Sequence, residues 1–372
     1  VPTPAIQIPN QIREQVTLAP YTTFRIGGPA RFFCDIHTEA ELLEAVQFAR
    51  QSNLAIFVLG GGSNLLISDS GFDGLVLHIA IDTPAQASTA DNFVDYNVAA
   101  GTDWNSFVHQ ICQQGISGIE CLAGIPGTVG GTPVQNVGAY GQEVANTITQ
   151  VRALDLSADL NLVDRNLDDL ETLAFVTLTH EQCRFAYRRS LFNTTHRNRY
   201  IVTQVTFRFD RTATPNLTYP DLQRHFASHN QPPSPIEIYH AVRKIRHGKG
   251  MLIVEGEPDC RSAGSFFKNP IVPESTLAAI ATAVNLPAEK IPHWPAGPGS
   301  IKLPAAWLLE QAGFRKGFTF GAAGISTRHT LALINRGHAT AVDIAALRDT
   351  IQHEIHRRFN IQLEQEPVQL GA

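Results

Sequence analysis

Leu42, Ala45, Val46 and Ala49 recur at helical spacing, with Leu43 beside them. That stripe predicts an amphipathic helix over 39–51, with Thr38 as its cap. Residues 200–209 follow a different period. Ile201, Val205, Phe207 and Phe209 point one way, and Gln204, Thr206 and Arg208 the other, which predicts a half-buried strand. Shorter apolar runs predict strands over 31–35, 55–59, 65–67, 74–79, 93–99, 151–155, 331–334 and 361–363. Further helices are expected over 103–114, capped by Thr102 and stopped by Gly115, and over 235–246 behind Ser234. Others fall at 274–283, at 304–312 and from Thr340 to about 359, the last with Asp343 in a partial capping box. Short strands alternating with helices in this way predict an α+β chain rather than a doubly wound sheet.

The periodicity breaks most conspicuously between Leu122 and Gly141. Six glycines and two prolines crowd that stretch, so neither a stable helix nor a central strand can form there. Ile125, Val129, Val134 and Val137 make it too apolar for a wet linker. A compact, buried loop remains, with bare backbone facing something flat or anionic and Gln135, Asn136 and Tyr140 as fixed polar groups. A second break, Gly60-Gly61-Gly62-Ser63-Asn64, follows the strand over 55–59. Consecutive amides at such a turn suit an anion such as a pyrophosphate. The spacing is not G-x-G-x-x-G, and no Lys follows as in a P-loop.

Composition narrows the classes. A chain of 372 residues predicts two or three domains, and 43% hydrophobic residues suffice for sizeable cores. The formal net charge of −5 gives no sign of nucleic-acid or membrane-surface affinity, so a phosphorylated substrate would need local cations. Five widely spaced cysteines without a C-x-x-C pair argue for reduced, buried thiols and against a disulfide framework or a metal site. No apolar run reaches the roughly 20 residues of a membrane helix. The opening Val-Pro-Thr-Pro carries no signal pattern, so a cytoplasmic protein is expected, with residues 1–19 as an N-terminal arm.

Candidate chemistry lies in four later segments. Cys183-Arg184-Phe185-Ala186-Tyr187-Arg188-Arg189-Ser190 interleaves cations with rings, and a guanidinium suits a substrate carboxylate because it is planar and permanently charged. Arg243, Lys244, Arg246, His247 and Lys249 cluster around a helix C-terminus, where they complement the dipole and offer charge to a diphosphate. Gly264-Ser265-Phe266-Phe267-Lys268-Asn269 holds a serine with no neighbouring His or Asp and no nucleophile elbow. Glu364 and Glu366 stand near the end of the chain.

In this order the motifs resemble those of the UDP-N-acetylenolpyruvoylglucosamine reductases, over about residues 20–368. The carriers are Gly-Gly-Gly-Ser-Asn, then Ile-Pro-Gly-x-Val-Gly with Gln-Asn-x-Gly-Ala-Tyr-Gly, Cys-Arg-Phe-x-Tyr-Arg-x-Ser, Leu-Thr-Tyr and Gly-Ser-Phe-Phe-Lys-Asn-Pro. The resemblance implies a p-cresol methylhydroxylase-type FAD-binding domain over 20–212 and a smaller α+β substrate domain over 213–345. Residues 346–372 would return to the FAD domain. It implies FAD contacts from Gly60, Gly61, Gly62, Ser63, Asn64, Ile125, Pro126, Gly127, Gly130, Gln135, Asn136 and Gly138, with NADPH as co-substrate and no metal. Tyr140, Lys249 and Asn269 would bind a UDP-sugar enolpyruvyl ether, and Tyr219 would close over it. Arg188, Ser265 and Glu366 would be catalytic, Ser265 as proton donor, and the displaced Pro367 leaves Glu364 as a competitor for the carboxyl role. A monomer acting on a small molecule is expected, with no nucleic-acid or membrane partner. An oxidase on the same flavin scaffold and a non-catalytic UDP-sugar-binding protein are the alternatives.

Overall fold

Thr38 accepts the Glu41 amide at 3.1 Å and starts the helix Glu39–Gln51. The helix buries Leu42, Ala45, Val46 and Ala49, as its spacing predicts, and also Phe48. The computed structural model describes residues 8–156, 173–215 and 217–371. The start of the N-terminal arm and Asn216 therefore lie outside the described residues. The chain divides into two compact units. One takes the stretch ending at Val16, Ala30–Gly61 and Asp73–Arg246; the other takes Thr17–Pro29, Gly62–Phe72 and the chain from His247 onward.

Two larger sheets and the two-stranded ribbon of Gly138–Ala139 with Gln142–Glu143 build the first unit among its described residues. One orders the strands Arg13–Thr17, Pro29–Ile36, Phe72–Ile79 and Ala55–Leu59, the last two parallel with Ala55 opposite Gly74. The other is antiparallel throughout, in the order Ala174–Thr179, Ile148–Asp155, Tyr200–Asp210, Phe93–Ala99 and Gln86–Ala90. Ile201, Val205, Phe207 and Phe209 all face its core, beside Trp104 and Phe107 from the helix Trp104–Gln113. That helix differs from expectation at its start. Asp103, not Thr102, is the cap, because its carboxylate takes the Ser106 amide at 2.8 Å while the Thr102 hydroxyl turns to Asp82.

The second unit packs the helices Thr276–Val284, Ala305–Gln311 and Ala341–Phe359 against short strands. Thr340 and Asp343 form a complete capping box, stronger than the partial one expected. The closing strand is also displaced. Ile361 and Leu363 are buried, but the strand is Val368–Leu370, parallel to Leu65–Ile67. Residues 364–366 instead run against 266–268, with Phe267 and Gln365 bridged. Among the described residues no helix is long and apolar enough to cross a membrane, and no group of three His, Cys, Asp or Glu could hold a metal. All five cysteines are free and buried. Burial pushes the thiols of Cys34 up to about 11 and of Cys121 and Cys183 up to about 12, so they are poor nucleophiles.

Candidate active site

In the first unit the glycine-rich loop is stapled to the start of the helix Trp104–Gln113. Trp104 N–H donates to the Gly127 carbonyl at 3.0 Å, Val129 N–H to Thr102 at 2.9 Å, and Gly130 N–H to Ala100 at 2.8 Å. Val129 and Val137 are buried beneath it, while Ile125, Pro126, Gly127, Gln135 and Gly138 keep partial exposure. Close backbone approach explains two of the glycines. A Cβ at Gly130 would lie 2.5 Å from that of Ala100, and one at Gly61 would lie 2.5 Å from the Gly127 Cα. Two turns, each stripped of side chains, thus touch backbone to backbone and leave a bare amide surface. Such a cradle fits a flat, anionic dinucleotide such as FAD: Gly60, Gly61, Ile125, Pro126, Gly127 and Gly130 would hold it in this unit.

The polar residues of the loop have definite partners. Asn136 is 1% exposed and left-handed at φ 46°. Its Nδ2 donates to Glu143 at 2.7 Å and to the Ala186 carbonyl at 3.0 Å, and its Oδ1 accepts the Ala145 amide at 3.1 Å. Those groups knit the loop to itself and to the arginine segment. Beneath the loop lies a carboxylate that the sequence reading did not single out. Glu120 is fully buried and accepts from the Ser117 hydroxyl, the Gly118 amide and Gln142 Nε2 at 2.9, 2.6 and 3.0 Å. Gln142 Oε1 in turn accepts the Cys121 amide at 2.8 Å. Glu120→Ala strands one buried and two part-buried donors and is expected to destabilise the protein by about 3 kcal/mol. Melting of the apoprotein should fall by several degrees, with Glu120→Gln falling less; unchanged melting of the alanine variant would show the network to be dispensable.

Arg188 stands at the tip of a tight hairpin. Ala186 and Arg189 exchange backbone hydrogen bonds at 2.9 and 3.0 Å, and Arg188 takes a left-handed φ of 56°. A non-glycine residue there stores backbone strain of the kind found at functional positions. Its Nη1 donates to the Gly138 carbonyl at 2.9 Å, and the Ser190 hydroxyl donates to Val134 at 2.6 Å. The predicted arginine and the predicted flavin loop therefore meet directly. Tyr140 and Tyr219 also come together, ring edge to face at 5.1 Å between centroids. Tyr219 precedes the helix Pro220–Phe226 and is 38% exposed.

Along the sequence Arg246 is one of a basic cluster; the fold gives it a place of its own. It is buried, with Nε on the Gly124 carbonyl at 3.2 Å. Burial pulls its guanidinium below the usual range, and a hydrogen-bonded Tyr140 pulls the other way. Asn105 gathers the Gly124 amide at 2.7 Å, Arg243 at 3.1 Å and Tyr239 at 3.1 Å around the same end of the loop. No local pattern marks either set of contacts, because the Arg246–Gly124 and Asn105–Tyr239 partners lie more than 100 residues apart along the chain.

In the second unit Gly62 has φ +60°, and a Cβ there would strike the Tyr21 carbonyl oxygen at 1.8 Å. Only glycine can make that turn. Asn64 follows, its Nδ2 on the Glu366 carbonyl at 3.3 Å and its own carbonyl accepting from Val368 at 2.9 Å. The Ser265 segment adjoins the same stretch. Phe266 and Phe267, wholly buried at 5.2 Å between centroids, anchor it. Glu366 N–H donates to the Phe266 carbonyl at 2.8 Å, and Lys268 N–H to Glu364 at 2.9 Å. Ser265 itself is half-buried, and its hydroxyl makes no protein hydrogen bond among the described residues. The two competing carboxyls differ in setting: Glu364 is an exposed partner of Lys268, whereas Glu366 is half-buried.

Asn269 Oδ1 accepts the Ala305 amide at 3.0 Å, which fixes its side chain at the start of the helix Ala305–Gln311. Lys249 is half-buried on the segment just past the helix Pro235–Gly248. Within their own units, then, Gly61, Gly127, Asn136, Gly138, Tyr140, Arg188 and Tyr219 share one loop system, and Asn64, Ser265 and Glu366 share another.

Comparison with known proteins covers both units. Residues 257–370 match the family model described as UDP-N-acetylenolpyruvoylglucosamine reductase, C-terminal domain, and residues 30–160 match one described as FAD binding domain. A UDP-N-acetylenolpyruvoylglucosamine reductase of Thermobifida fusca is 40% identical over 96% of this chain and 97% of its own. A reductase of the same name from Streptomyces coelicolor is 40% identical over 99% of this chain and 94% of its own. Among solved structures, a UDP-N-acetylenolpyruvylglucosamine reductase from Thermus caldophilus is similar over 97% of this chain and 100% of its own. The TM-score there is 0.63 and the identity 26%.

Proposed function

This chain belongs to the UDP-N-acetylenolpyruvoylglucosamine reductase family, and we propose that it catalyses the NADPH-dependent reduction of UDP-N-acetylglucosamine enolpyruvate to UDP-N-acetylmuramate. It is an FAD-binding oxidoreductase of α+β fold, of the kind that serves peptidoglycan precursor synthesis. We place it in the cytoplasm, as a monomer acting on a small molecule. The chemistry that FAD supplies when bound is hydride transfer, drawn from NADPH and passed to the enolpyruvyl methylene.

The chain's own residues handle the charge and the proton. Hydride addition leaves negative charge on the neighbouring carbon, delocalised onto the substrate carboxylate. Arg188 binds and orients that carboxylate through its planar guanidinium. Glu366 supports the developing charge as a neutral acid or through a cation. Ser265 then donates its hydroxyl proton to the carbon. Serine is a weak acid, so this step needs close placement and a strongly basic carbanion. Lys249 meets the diphosphate, Asn269 and Tyr140 contact the substrate, and Tyr219 covers it.

The observation that carries this reading is Ser265 itself. Its hydroxyl makes no protein hydrogen bond among the described residues, and its segment is laddered to that of Glu366. A binding module would have no use for that pairing. The test is one anaerobic titration of the purified, yellow protein. NADPH should bleach the flavin absorbance, and the enolpyruvyl sugar nucleotide should then restore it stoichiometrically. A colourless protein that cannot be reconstituted with FAD would favour the binding module, and re-oxidation by dioxygen alone would favour an oxidase.

A further inference from the structure

One arginine in the second unit is engaged on every side of its guanidinium, and no step above uses it. Arg328 Nη1 donates to the His247 carbonyl at 3.0 Å, Nε donates to Asp259 Oδ2 at 3.1 Å, and Nη2 meets Glu257. Asp259 is 7% exposed and also accepts the Thr327 amide at 3.1 Å and the Thr327 hydroxyl at 2.6 Å. Burial pushes that carboxyl up, but Thr327 and Arg328 together hold it below the ordinary range, so it stays ionised against the guanidinium.

The same guanidinium shapes the backbone around Lys249. Gly250 N–H donates to the His247 carbonyl at 2.9 Å, the very oxygen that Arg328 holds. Gly250 is left-handed at φ +65°, and a Cβ there would stand 3.1 Å from Arg328 Nε, 3.2 Å from Ser326 Oγ and 3.3 Å from Asp259 Cβ. Lys249 thus lies between His247, whose carbonyl Arg328 holds, and Gly250, whose backbone packs close to Arg328. Residues 249–257 contain no helix or strand, so no backbone ladder does this work. The segment closes on itself through the Glu257 amide on the Val254 carbonyl at 3.2 Å and through Cys260, whose thiol meets the Leu252 carbonyl at 2.8 Å and the Val254 amide at 3.3 Å.

We propose that Arg328 is a positioning residue for Lys249: by clamping the His247 carbonyl to Glu257 and Asp259, it sets where the lysine meets the substrate's diphosphate. The inference rests on the reading that Lys249 binds that group. A bidentate clamp on two carboxylates and a carbonyl cannot be reproduced by a lysine, whose single ammonium lacks the fixed fork. Without the clamp, Lys249 must be ordered at the moment of binding, which weakens affinity and leaves the chemical step alone.

The test is a double-mutant cycle on the oxidised holoenzyme, titrated calorimetrically with UDP-N-acetylglucosamine enolpyruvate. Arg328→Met should raise Kd and KM roughly tenfold, with kcat and the rate of flavin reduction by NADPH nearly unchanged. Arg328→Lys should recover little of the loss. In a Lys249→Ala background, Arg328→Met should have almost no further effect on Kd, because the residue acts through the lysine. Additive losses, or a fall in kcat with KM unmoved, would overturn the proposal and leave Arg328 a structural residue. Should Arg328→Met not fold, Glu257→Gln removes one arm of the clamp and enters the same cycle. Lys249→Ala with unaltered Kd would defeat both the lysine's assignment and this inference. Failure of the wild-type protein to turn over the substrate at all would instead defeat the functional reading.

Discussion

Ser265→Ala is expected to leave reduction of the flavin by NADPH within about twofold of wild type while slowing reduction of the enolpyruvyl substrate by roughly 10²–10⁴-fold. The asymmetry follows from where the hydroxyl enters. No proton from Ser265 is needed while reducing equivalents come in, and one is needed once negative charge has formed on the substrate carbon. The fold should survive the change. Phe266 and Phe267 are buried, and the Phe266 amide is held by the Leu331 carbonyl at 2.8 Å, so the segment is anchored without the hydroxyl. Rapid-reaction absorbance of the two half-reactions, measured separately, reads the difference. Equal slowing of both halves would mean that Ser265 positions the flavin and is not the proton donor. Ser265→Cys, which keeps a donor at the same place, should fall between the two.

Gly61→Val should abolish retention of FAD through purification, and Gly61→Ala should weaken it by roughly 10- to 100-fold, the equivalent of about 1–3 kcal/mol of overpacking. The Cβ would sit 2.5 Å from Gly127 Cα, 3.1 Å from its carbonyl carbon and 3.3 Å from its nitrogen. All three neighbours are backbone, so relief requires the two loops to part and not merely a side chain to turn. A control lies in the same system: among the described residues the only contact of a Cβ at Gly131 is Thr128 Oγ1 at 3.9 Å, so Gly131→Ala should keep its flavin. The ratio of visible to ultraviolet absorbance after gel filtration separates the three variants. Loss of flavin from Gly131→Ala to the same degree as from Gly61→Ala would remove the steric argument.

Much of the fold was legible along the chain. Helix 39–51 ends within its predicted bounds because cap and apolar stripe agree, and the strand over 200–210 alternates as its sequence does from Gln204 onward, with Ile201, Val202 and Thr203 buried in succession. The glycine-rich loop was recognisable by elimination: a run that can be neither helix nor strand and is too apolar to be wet must pack as a loop. Errors arose where two plausible local signals competed. Thr102 and Asp103 are both good caps, and only the position of Asp82 decides which is used. Ile361 and Leu363 have the spacing of a strand and are buried like one, yet the strand starts five residues past Leu363, at Val368–Leu370.

What the sequence determined by itself is the identity of the chemical groups and the backbone freedom around them: Ser265 between a glycine and two aromatic anchors, Arg188 among rings, and glycines at turns that no Cβ could enter. Those properties are local, fixed by a residue and its near neighbours. The tertiary structure alone decided the partners. Asn136 reaches Ala186 across 50 residues, Gln142 finds Glu120 across 22, and Arg328 closes on Glu257 across 71. A buried polar group must be satisfied wherever the fold places a complementary one, and no pattern along the chain records which distant donor will arrive.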